Sequence, residues 1–390
     1  MNDIISDLAP ALPAAIGTLV VGGGIVGACV AGFLAEEGHD VLLIDDGRGG
    51  GTTANAGSLH VQMQSRFMRL YPEHVPNMER QLPLYPKAVA FWQALGQRLG
   101  ANFDLKMGGG LMVAESREQL DFLALKAARE HRLGLDVTIL DRAALDVVAP
   151  WFGPSIVGAE FCANEGTLNP LLCNAAIRDW IRARGVVLAE HLSVDAISAS
   201  GTGFDVHTAR GTVRAGRVVL AAAAGTRALA KGVAGGLDIP AVAEPLHMNI
   251  TEATAPLLGP LIQHADRMIT LKQLGTGHIV IGGGWPARLV GDGGQADVEL
   301  SSLIANATLA QHIVPRVGDL RIIRTWAGLN TSVDGMGVLG AVPGVPGLFV
   351  AIPGDAGYTL GPLSAQLVAD VILGREPGED ISLFSPARFV

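Results

Sequence analysis

The pattern of apolar runs and glycine turns at the start of the chain predicts a βαβ unit. Residues 18–21 and 41–44 are short, uninterrupted apolar runs, as fully buried strands require. Between them, a glycine-rich turn at residues 22–27 precedes residues 28–38, whose apolar positions have helical spacing. A strand, turn, helix and strand in this order predict a parallel sheet.

Two kinds of pattern alternate through the rest of the chain. Further strands of the first sheet are predicted at residues 186–189, 204–208, 217–222 and 348–352, with a last helix over 361–373 that has Pro362 in its first turn. A second, strand-rich region is predicted at residues 110–114, 246–250, 268–271 and 278–281, with helices at 116–131 and 300–313. Because the two patterns alternate, we expect two interleaved domains.

Composition and charge narrow the class of protein. The 390 residues are 49% hydrophobic and 17% charged, which suits a compact fold with room for two domains. The balance of 28 basic and 37 acidic residues, with no basic stripe, argues against a nucleic-acid partner. Cys29, Cys162 and Cys173 are isolated, so we predict small buried side chains and no disulfide, zinc or iron–sulfur site.

Targeting signals are weak in this sequence. Residues 1–16 contain two Asp and no Lys or Arg, so they lack the basic start of a secretory signal and are predicted to be a flexible leader. No apolar stretch reaches the roughly 18 to 20 residues of a membrane span without glycines or charges. We therefore predict a cytoplasmic protein with no membrane span.

The glycine turn carries the first chemical signal. In the pattern Gly22-x-Gly24-x-x-Gly27, the first glycine permits a tight turn, the second lets the backbone approach a pyrophosphate, and the third lets helix and strand pack closely. Asp45 ends the second strand, where a carboxylate accepts hydrogen bonds from ribose hydroxyls. The complete unit predicts a dinucleotide site, and the small, polar residues 49–57 suit an extended cofactor.

The sequence resembles the D-amino-acid-oxidase-like flavoproteins, which include glycine oxidase, sarcosine oxidase and bacterial D-amino-acid dehydrogenases. The resemblance covers nearly the whole chain and rests on residues 20–45, 52–57, 218–223 and 326–362. Within this family the chain is most similar to the FAD-carrying subunits of bacterial opine oxidases, through residues 55–62 (NAGSLHVQ) and 354–362 (GDAGYTLGP). Hydroxyproline dehydrogenase and cyanide synthase subunits are close relatives of that subgroup.

The resemblance implies an α/β fold in which a Rossmann-like FAD-binding domain interleaves with an α+β substrate domain that has a mostly antiparallel sheet. We assign residues 17–100, 150–240 and 325–385 to the FAD-binding domain, and residues 101–149 and 241–324 to the substrate domain. FAD is expected to bind non-covalently, because no cysteine lies in the C-terminal, flavin-facing region.

The resemblance also implies which residues hold FAD. Val194 is expected to offer its backbone to the adenine, and Ala222 and Ala223 to line the pyrophosphate, although the family usually has glycine at the position of Ala223. The N-terminus of the last helix faces the isoalloxazine, where N–H groups stabilise the negative charge of reduced flavin. The predicted FAD-binding residues are Gly22, Gly24, Ile25, Val26, Gly27, Asp45, Asp46, Thr52, Thr53, Asn55, Ala56, Gly57, Ser58, Leu59, Val194, Ala222, Ala223, Gly328, Gly354, Asp355, Gly357, Tyr358, Thr359 and Leu360.

Hydride removal from a carbon beside an amine depends more on orientation than on acid or base groups, so we nominate no general base. His60, His247 and Lys272 are hypothesised contacts for substrate carboxylates, with a structural or solvated role as the alternative for each. Asn330 and Tyr358 are the remaining candidates for substrate contacts. In glycine-oxidase-like members an arginine follows Trp-Ala-Gly-Leu and grips the substrate carboxylate; Asn330 cannot replace a guanidinium, which favours a bulkier substrate.

The leading hypothesis is oxidation of a C–N bond in an opine-type secondary amine, such as octopine or nopaline, to an imine that water hydrolyses to an amino acid and a 2-oxo acid. Because the chain encodes no second redox centre, we expect a hetero-oligomer, and the resemblance implies that its partner subunit carries an iron–sulfur cluster or a second flavin such as FMN. The alternatives are a D-amino acid, hydroxyproline, glycine or sarcosine dehydrogenase or oxidase, a non-catalytic flavin subunit, and an NAD-dependent dehydrogenase.

Overall fold

A computed structural model describes residues 11–48, 50–234, 237–291 and 294–390. Most of the predicted leader and Gly49 of the predicted cofactor stretch lie outside the described residues. The helices of the described residues are α1 (Ile25–Glu36), α2 (Ser65–Leu70), α3 (Val75–Gln81), α4 (Leu84–Leu99), α5 (Arg117–Arg132), α6 (Arg142–Val148), α7 (Pro170–Ala183), α8 (Thr226–Ala234), α9 (Leu300–Ile313) and α10 (Gly357–Ile372).

The strands belong to two eight-stranded sheets and two small ribbons. They are β1 (Ala15–Val21), β2 (Val41–Asp45), β3 (Ser58–Leu59), β4 (Gly110–Ala114), β5 (Val137–Asp141), β6 (Gly158–Cys162), β7 (Gly166–Thr167), β8 (Val187–Glu190), β9 (Val194–Ser200), β10 (Gly203–Thr208), β11 (Gly211–Leu220), β12 (Val242–Ala253), β13 (Leu261–His264), β14 (Thr270–Gln273), β15 (His278–Gly282), β16 (Arg288–Val290), β17 (Gln295–Asp297), β18 (Ile322–Ser332), β19 (Val338–Ala341) and β20 (Leu348–Ile352).

The first sheet has the strand order β19-β20-β11-β1-β2-β8, and β20, β11, β1, β2 and β8 run parallel. Strands β10 and β9 extend β11 as an antiparallel hairpin. Helices α1, α4, α7 and α10 pack together beside this sheet. The parallel sheet predicted from the first βαβ unit is confirmed.

The second sheet has the order β18-β12-β15-β14-β13-β4-β6-β5, and every neighbouring pair is antiparallel except β13 and β4. The mostly antiparallel second sheet is therefore also confirmed. Side chains alternate between the two faces of a sheet. We call the face that carries Met248, Gln263, Thr270 and Lys272 the front face. The back face packs its apolar residues against α9.

Strand pairing differs from the predicted domain segments at two places. Strand β6 lies within predicted FAD-binding residues but pairs with β4 and β5 of the second sheet. Strand β18, most of which falls in predicted FAD-binding residues, pairs with β12 of that sheet. At β6 and at β18, segments that we assigned to the FAD-binding domain therefore contribute strands to the second sheet. The division of the chain into two domains remains a prediction.

The last helix begins four residues earlier than its predicted start at residue 361, so Pro362 lies inside α10. A proline has no N–H, and the carbonyl oxygen four residues earlier then lacks its helical donor. That oxygen belongs to Tyr358, and it accepts a hydrogen bond of 3.1 Å from Nε1 of Trp92. The indole of Trp92 in α4 thus replaces the missing backbone donor. The local sequence pattern around Pro362 does not reveal this contact, because Trp92 is distant along the chain.

None of the described helices is long and apolar enough to cross a bilayer.

Candidate cofactor and substrate site

The predicted phosphate turn has the close packing that its glycines imply. A Cβ atom on Gly27 would lie 1.9 Å from the carbonyl oxygen of Gly22, so only glycine allows α1 to approach β1. Helix α1 begins after Gly24, which offers no side-chain cap. The N–H of Ile25 donates to Oγ1 of Thr52 at 2.8 Å, which brings the second predicted cofactor stretch to this helix end.

Asp45 lies beside the turn, at the end of β2. Its carboxylate accepts a hydrogen bond of 2.5 Å from the N–H of Gly23. Its carbonyl oxygen accepts from the N–H of Leu192 at 2.9 Å, so the chain that enters β9 at Val194 runs next to Asp45. The structure therefore brings together the residues predicted for the ribose and the adenine. Asp46 instead turns outward, to an exposed ion pair with Arg48.

The predicted pyrophosphate residues Ala222 and Ala223 follow β11. The carbonyl oxygen of the preceding Ala221 lies 2.4 Å from a Cβ placed on Gly22, so this turn adjoins the first one. Ala223 has φ +52°, in the left-handed region that favours glycine. The alanine that departs from the resemblance thus occupies a strained backbone position.

The stretch from Thr52 to Gly57 is held by side chains from distant elements. Trp326 of β18 donates from Nε1 to the carbonyl oxygen of Ala54 at 2.8 Å. Asn174 of α7 donates to the carbonyl oxygen of Thr52 at 3.1 Å. Both contacts were missed from the sequence, because neither residue stands near the stretch along the chain.

Other predicted residues of this stretch bond locally. The side chain of Asn55 accepts a bond of 2.6 Å from the N–H of Gly57, and Thr53 donates to the carbonyl oxygen of Gly50 at 3.1 Å. Gly328 packs against Ala54, since a Cβ on Gly328 would lie 2.3 Å from that of Ala54. The cofactor stretch is therefore clamped between its own turns and β18.

Gly57 links the predicted cofactor stretch to the front face of the second sheet. It has φ +78°, and a Cβ there would lie 2.5 Å from Nζ of Lys272. Lys272 donates to the carbonyl oxygen of Leu168 at 2.8 Å and is buried. Burial lowers the pKa of Lys272 to about 7. Ser58 and Leu59 follow as β3, and Oγ of Ser58 is buried without a partner among the described residues.

His60 comes next and faces Lys272 and Gln263. Burial, reinforced by the charge of Lys272, lowers the pKa of His60 to about 4, and the Gln263 side chain acts against this shift. Its Nδ1 is buried and has no hydrogen-bond partner within the described part of the chain. The structure thus brings two of the predicted substrate contacts, His60 and Lys272, together beside Gly57.

His247 is separated from that pair. It alternates along β12 with Met248, a front-face residue, and therefore lies on the back face. Its Nε2 lies 2.9 Å from Oδ1 of Asn249, whose amide donates to Asn306 of α9. The sequence hypothesis of a substrate contact is not supported for His247, because its ring belongs to a buried bridge between the sheet and α9.

Asn330 and Asp355 stand at another edge of the front side. Asn330 of β18 donates to Glu244 of β12 at 3.4 Å. Asp355 is exposed and lies near Ser332 and Glu244. Because Leu329 O would lie 2.6 Å from a Cβ on Gly51, this edge adjoins the cofactor stretch. The edge is therefore acidic.

The N-terminus of α10 completes the site. Gly354 ends the turn before it, and Ala356 provides no side-chain cap for the helix that starts at Gly357. Tyr358 is buried, stacks on Trp92 with a ring separation of 5.2 Å, and donates to Asn174 at 2.9 Å. Tyr358 therefore supports the residues around the site from the interior, as do the buried Thr359 and Leu360.

These residues fit the FAD that the sequence implies. Within the described residues, the N-terminus of α10 has no side-chain cap, and at that of α1 only the N–H of Ile25 is bonded, to Thr52, so both helix ends offer N–H groups to anionic groups. The buried Oγ of Ser58 and Nδ1 of His60 have no partners in the described chain, as expected of atoms that contact a bound group. Asp45, at the far end, has the position of a ribose acceptor.

The chain is similar to known proteins in sequence and in fold. The sequence profile of the family "FAD dependent oxidoreductase" (DAO) matches residues 18–371. The chain is 27% identical to an opine oxidase subunit of Rhizobium meliloti, over 95% of this chain and 96% of that protein. It is 26% identical to glycine oxidase of Geobacillus kaustophilus, again over 95% of this chain and 96% of that one. The crystal structure of glycine oxidase from Geobacillus kaustophilus has a TM-score of 0.83 at 24% identity and covers 97% of this chain and 100% of that one, which shows the fold.

Proposed function

Because this chain belongs to the DAO family of FAD-dependent oxidoreductases, which oxidise C–N bonds of amino compounds, we propose that its substrate is an opine-type secondary amine. The product imine is hydrolysed to an amino acid and a 2-oxo acid. Bound FAD supplies the hydride acceptor. The observation that carries the proposal is the pair formed by Asn330 and Glu244 at the edge of the site.

Glu244 and Asn330 argue against a small amino acid as the substrate. A carboxylate at this edge repels the carboxylate of glycine or a D-amino acid, and the amide of Asn330 cannot compensate as a guanidinium would. The same carboxylate attracts a cation. Octopine and nopaline carry the guanidinium of their arginine portion, which can bind a carboxylate through two parallel hydrogen bonds.

The opposite side of the site suits the carboxylates of such a substrate. With a pKa of about 7, Lys272 is charged in only about half of the molecules at that pH, and a bound carboxylate favours its charged form. His60 beside it is neutral at that pH and offers a hydrogen-bonding nitrogen, the unpartnered Nδ1. These residues bind and orient the amine, and orientation supplies most of the rate advantage for hydride removal.

The proposal also includes a partner subunit. The Rhizobium meliloti relative is named as one subunit of an opine oxidase, which supports a hetero-oligomer in which a second subunit with an iron–sulfur cluster or FMN would take electrons onward. The second candidate function is a self-sufficient oxidase, which the similarity to glycine oxidase supports.

The test is anaerobic mixing of the FAD-loaded protein with octopine, nopaline, an opine without a cationic side chain, glycine, sarcosine, D-alanine and hydroxyproline. We expect flavin bleaching to be fastest with the two arginine-derived opines, and the products to be an amino acid and a 2-oxo acid. Faster bleaching by glycine, sarcosine or D-alanine would contradict the proposal and favour the second candidate.

Glu244→Gln sharpens this test. Loss of a hydrogen bond to a charged group costs about 1.5–3 kcal/mol, so kcat/KM for nopaline should fall roughly 10- to 100-fold. The opine without a cationic side chain should be used about equally well by both proteins. Glu252→Gln is the matched control, because Glu252 lies on the same strand but pairs with the exposed Arg321. Equal losses for both opines would exclude Glu244 as the cation contact.

A further inference from the structure

A buried polar cluster lies directly behind His60. The segment 61–64 leaves β3 and crosses the front face of the second sheet outside any strand. Buried N–H groups of such a segment need acceptors. The consecutive N–H groups of Val61, Gln62 and Met63 all donate to buried carboxylates: the first two to Glu165 at 2.8 and 3.1 Å, and the third to Glu130.

Glu165 is bound on all sides by N–H donors. One carboxylate oxygen accepts the two backbone bonds, and the other accepts from the side-chain amides of Gln62 and Gln263, each at 2.8 Å. The three residues are buried. Burial raises the pKa of Glu165, and the donors oppose that effect because they stabilise the carboxylate. Four donors and no acceptor make the ionised form the one that fits.

Gln263 connects Glu165 to His60. Its amide donates to Glu165, its carbonyl oxygen accepts from Gln64, and its side chain lies beside His60. With both ends of the amide occupied, Gln263 has one orientation. His60 is thus fixed twice, by the segment that follows it and by the side chain that contacts it.

We propose that Glu165 is a positioning residue, which acts through segment 61–64 and Gln263 to hold His60 toward the bound amine. The role of His60 as a substrate contact rests on the proposed function. The hold of Glu165 on His60 does not, and it can be measured without substrate.

Glu160 provides a matched control in the same cluster. It forms an ion pair of 2.8 Å with Lys126, which also binds Glu130 at 2.9 Å. Burial raises the pKa of Glu160, and the charge of Lys126 opposes that shift. A glutamine at position 160 keeps the size of the side chain and an oxygen for Lys126, which retains its ion pair with Glu130.

Glutamine at position 165, in contrast, disrupts the hydrogen bonds that this side chain accepts. Its amide would direct an N–H toward the amides of Gln62 and Gln263 or toward the backbone N–H groups, so at least one donor loses its acceptor. Loosening of segment 61–64 admits water to His60. Since burial is the largest cause of the lowered pKa of His60, and Lys272 is the charged group that faces it, water entry should raise that pKa.

The experiment compares Glu165→Gln with Glu160→Gln in the FAD-loaded protein. First, NMR of 13C-labelled histidine follows the pKa of His60, with His60→Gln used to assign the signal. In the unchanged protein and in E160Q we expect a pKa of about 4. In E165Q it should move toward the unperturbed value of about 6.5.

Second, the rate of anaerobic flavin reduction per bound flavin should fall about 10- to 100-fold in E165Q, as expected for a misplaced contact, and stay within twofold in E160Q. Counting per bound flavin removes the effect of a smaller folded fraction. If no amine reduces the flavin, the proposed function fails, and the pKa of His60 still decides the role of Glu165.

Should E165Q not fold, Glu165→Asp keeps the charge and shortens its reach by one methylene, and the same shift of the His60 pKa is expected. An unchanged His60 pKa in the folded variant, or equal shifts in E165Q and E160Q, would overturn the proposal.

Discussion

The turn of the first βαβ unit and the front face of the second sheet build their parts of the site in different ways. The turn is made of backbone: Gly22, Gly24 and Gly27 lie within six residues, and their function depends on the space that they leave free. The front face is made of side chains from separate segments: Gln263 of β13 and Lys272 of β14 meet His60, which follows β3 about 200 residues earlier in the chain.

This difference determines how each region responds to change. In the turn, a single added methyl group acts through steric overlap. On the front face, substitutions act through charge and through the satisfaction of buried polar groups. The predictions below test that contrast, from the largest expected effect to the smallest.

Gly27→Ala should have the largest effect. The new methyl would lie 1.9 Å from the carbonyl oxygen of Gly22, so α1 must move away from β1 and its N-terminus from the phosphate site. We expect the dissociation constant for FAD, measured by fluorescence titration, to rise at least about 100-fold, which corresponds to roughly 2.7 kcal/mol.

Gly232→Ala is the control for this prediction, because a Cβ at Gly232 in α8 meets no atom within 4 Å. Its FAD affinity should be unchanged. Normal FAD binding by Gly27→Ala would mean that close packing at the turn does not position the cofactor.

Lys272→Met tests the front face through the pH dependence of stability. In the folded chain the pKa of Lys272 is about 7, whereas an unfolded lysine titrates near its usual value of about 10.4. Between these values the unfolded state binds one more proton, so the free energy of unfolding should rise with pH from about 7 to 10. Urea unfolding across this range should show a smaller rise for Lys272→Met, and higher stability at pH 7.

The exposed Lys231 provides the comparison, since Lys231→Met should keep the same rise between neutral and alkaline pH. The substitution Lys272→Met should also weaken the binding of substrate carboxylates. An unaltered pH profile would show that Lys272 is solvated and does not sit in the closed environment described above.

Ala223→Gly should have the smallest effect, and it should be stabilising. Ala223 has φ +52°, which costs an L-residue roughly 1 kcal/mol that glycine avoids, partly offset by the larger backbone entropy of glycine when unfolded. Urea unfolding should show an increase of up to about 1 kcal/mol in the free energy of unfolding. A loss of stability would indicate that the alanine methyl makes a packing contact worth more than the strain.

The two regions also differ in how far the sequence predicts them. The parallel sheet, the mostly antiparallel second sheet and the residues around Gly22 and Asp45 follow from contiguous patterns. The position of His247 does not, because the alternation along β12 decides its face and that register depends on pairing with β18.

The polar cluster behind His60 was missed for the same reason. Glu165, Gln62 and Gln263 look like ordinary polar residues along the chain, and only the fold buries them together. Likewise, Pro362 alone predicts a helix start, whereas the fold places it inside α10, where the hydrogen bond from Trp92 to Tyr358 accommodates it.

The central claim is that the turn of the first βαβ unit and the front face of the second sheet form two parts of one site. Its most direct test is the crystal structure of the FAD-loaded protein. We predict that the ribose and pyrophosphate of FAD lie between Asp45 and the N-terminus of α1, and that the isoalloxazine lies between Gly57 and the N-terminus of α10, on the side of Lys272 and His60. An isoalloxazine bound away from both Gly57 and Lys272 would contradict that prediction.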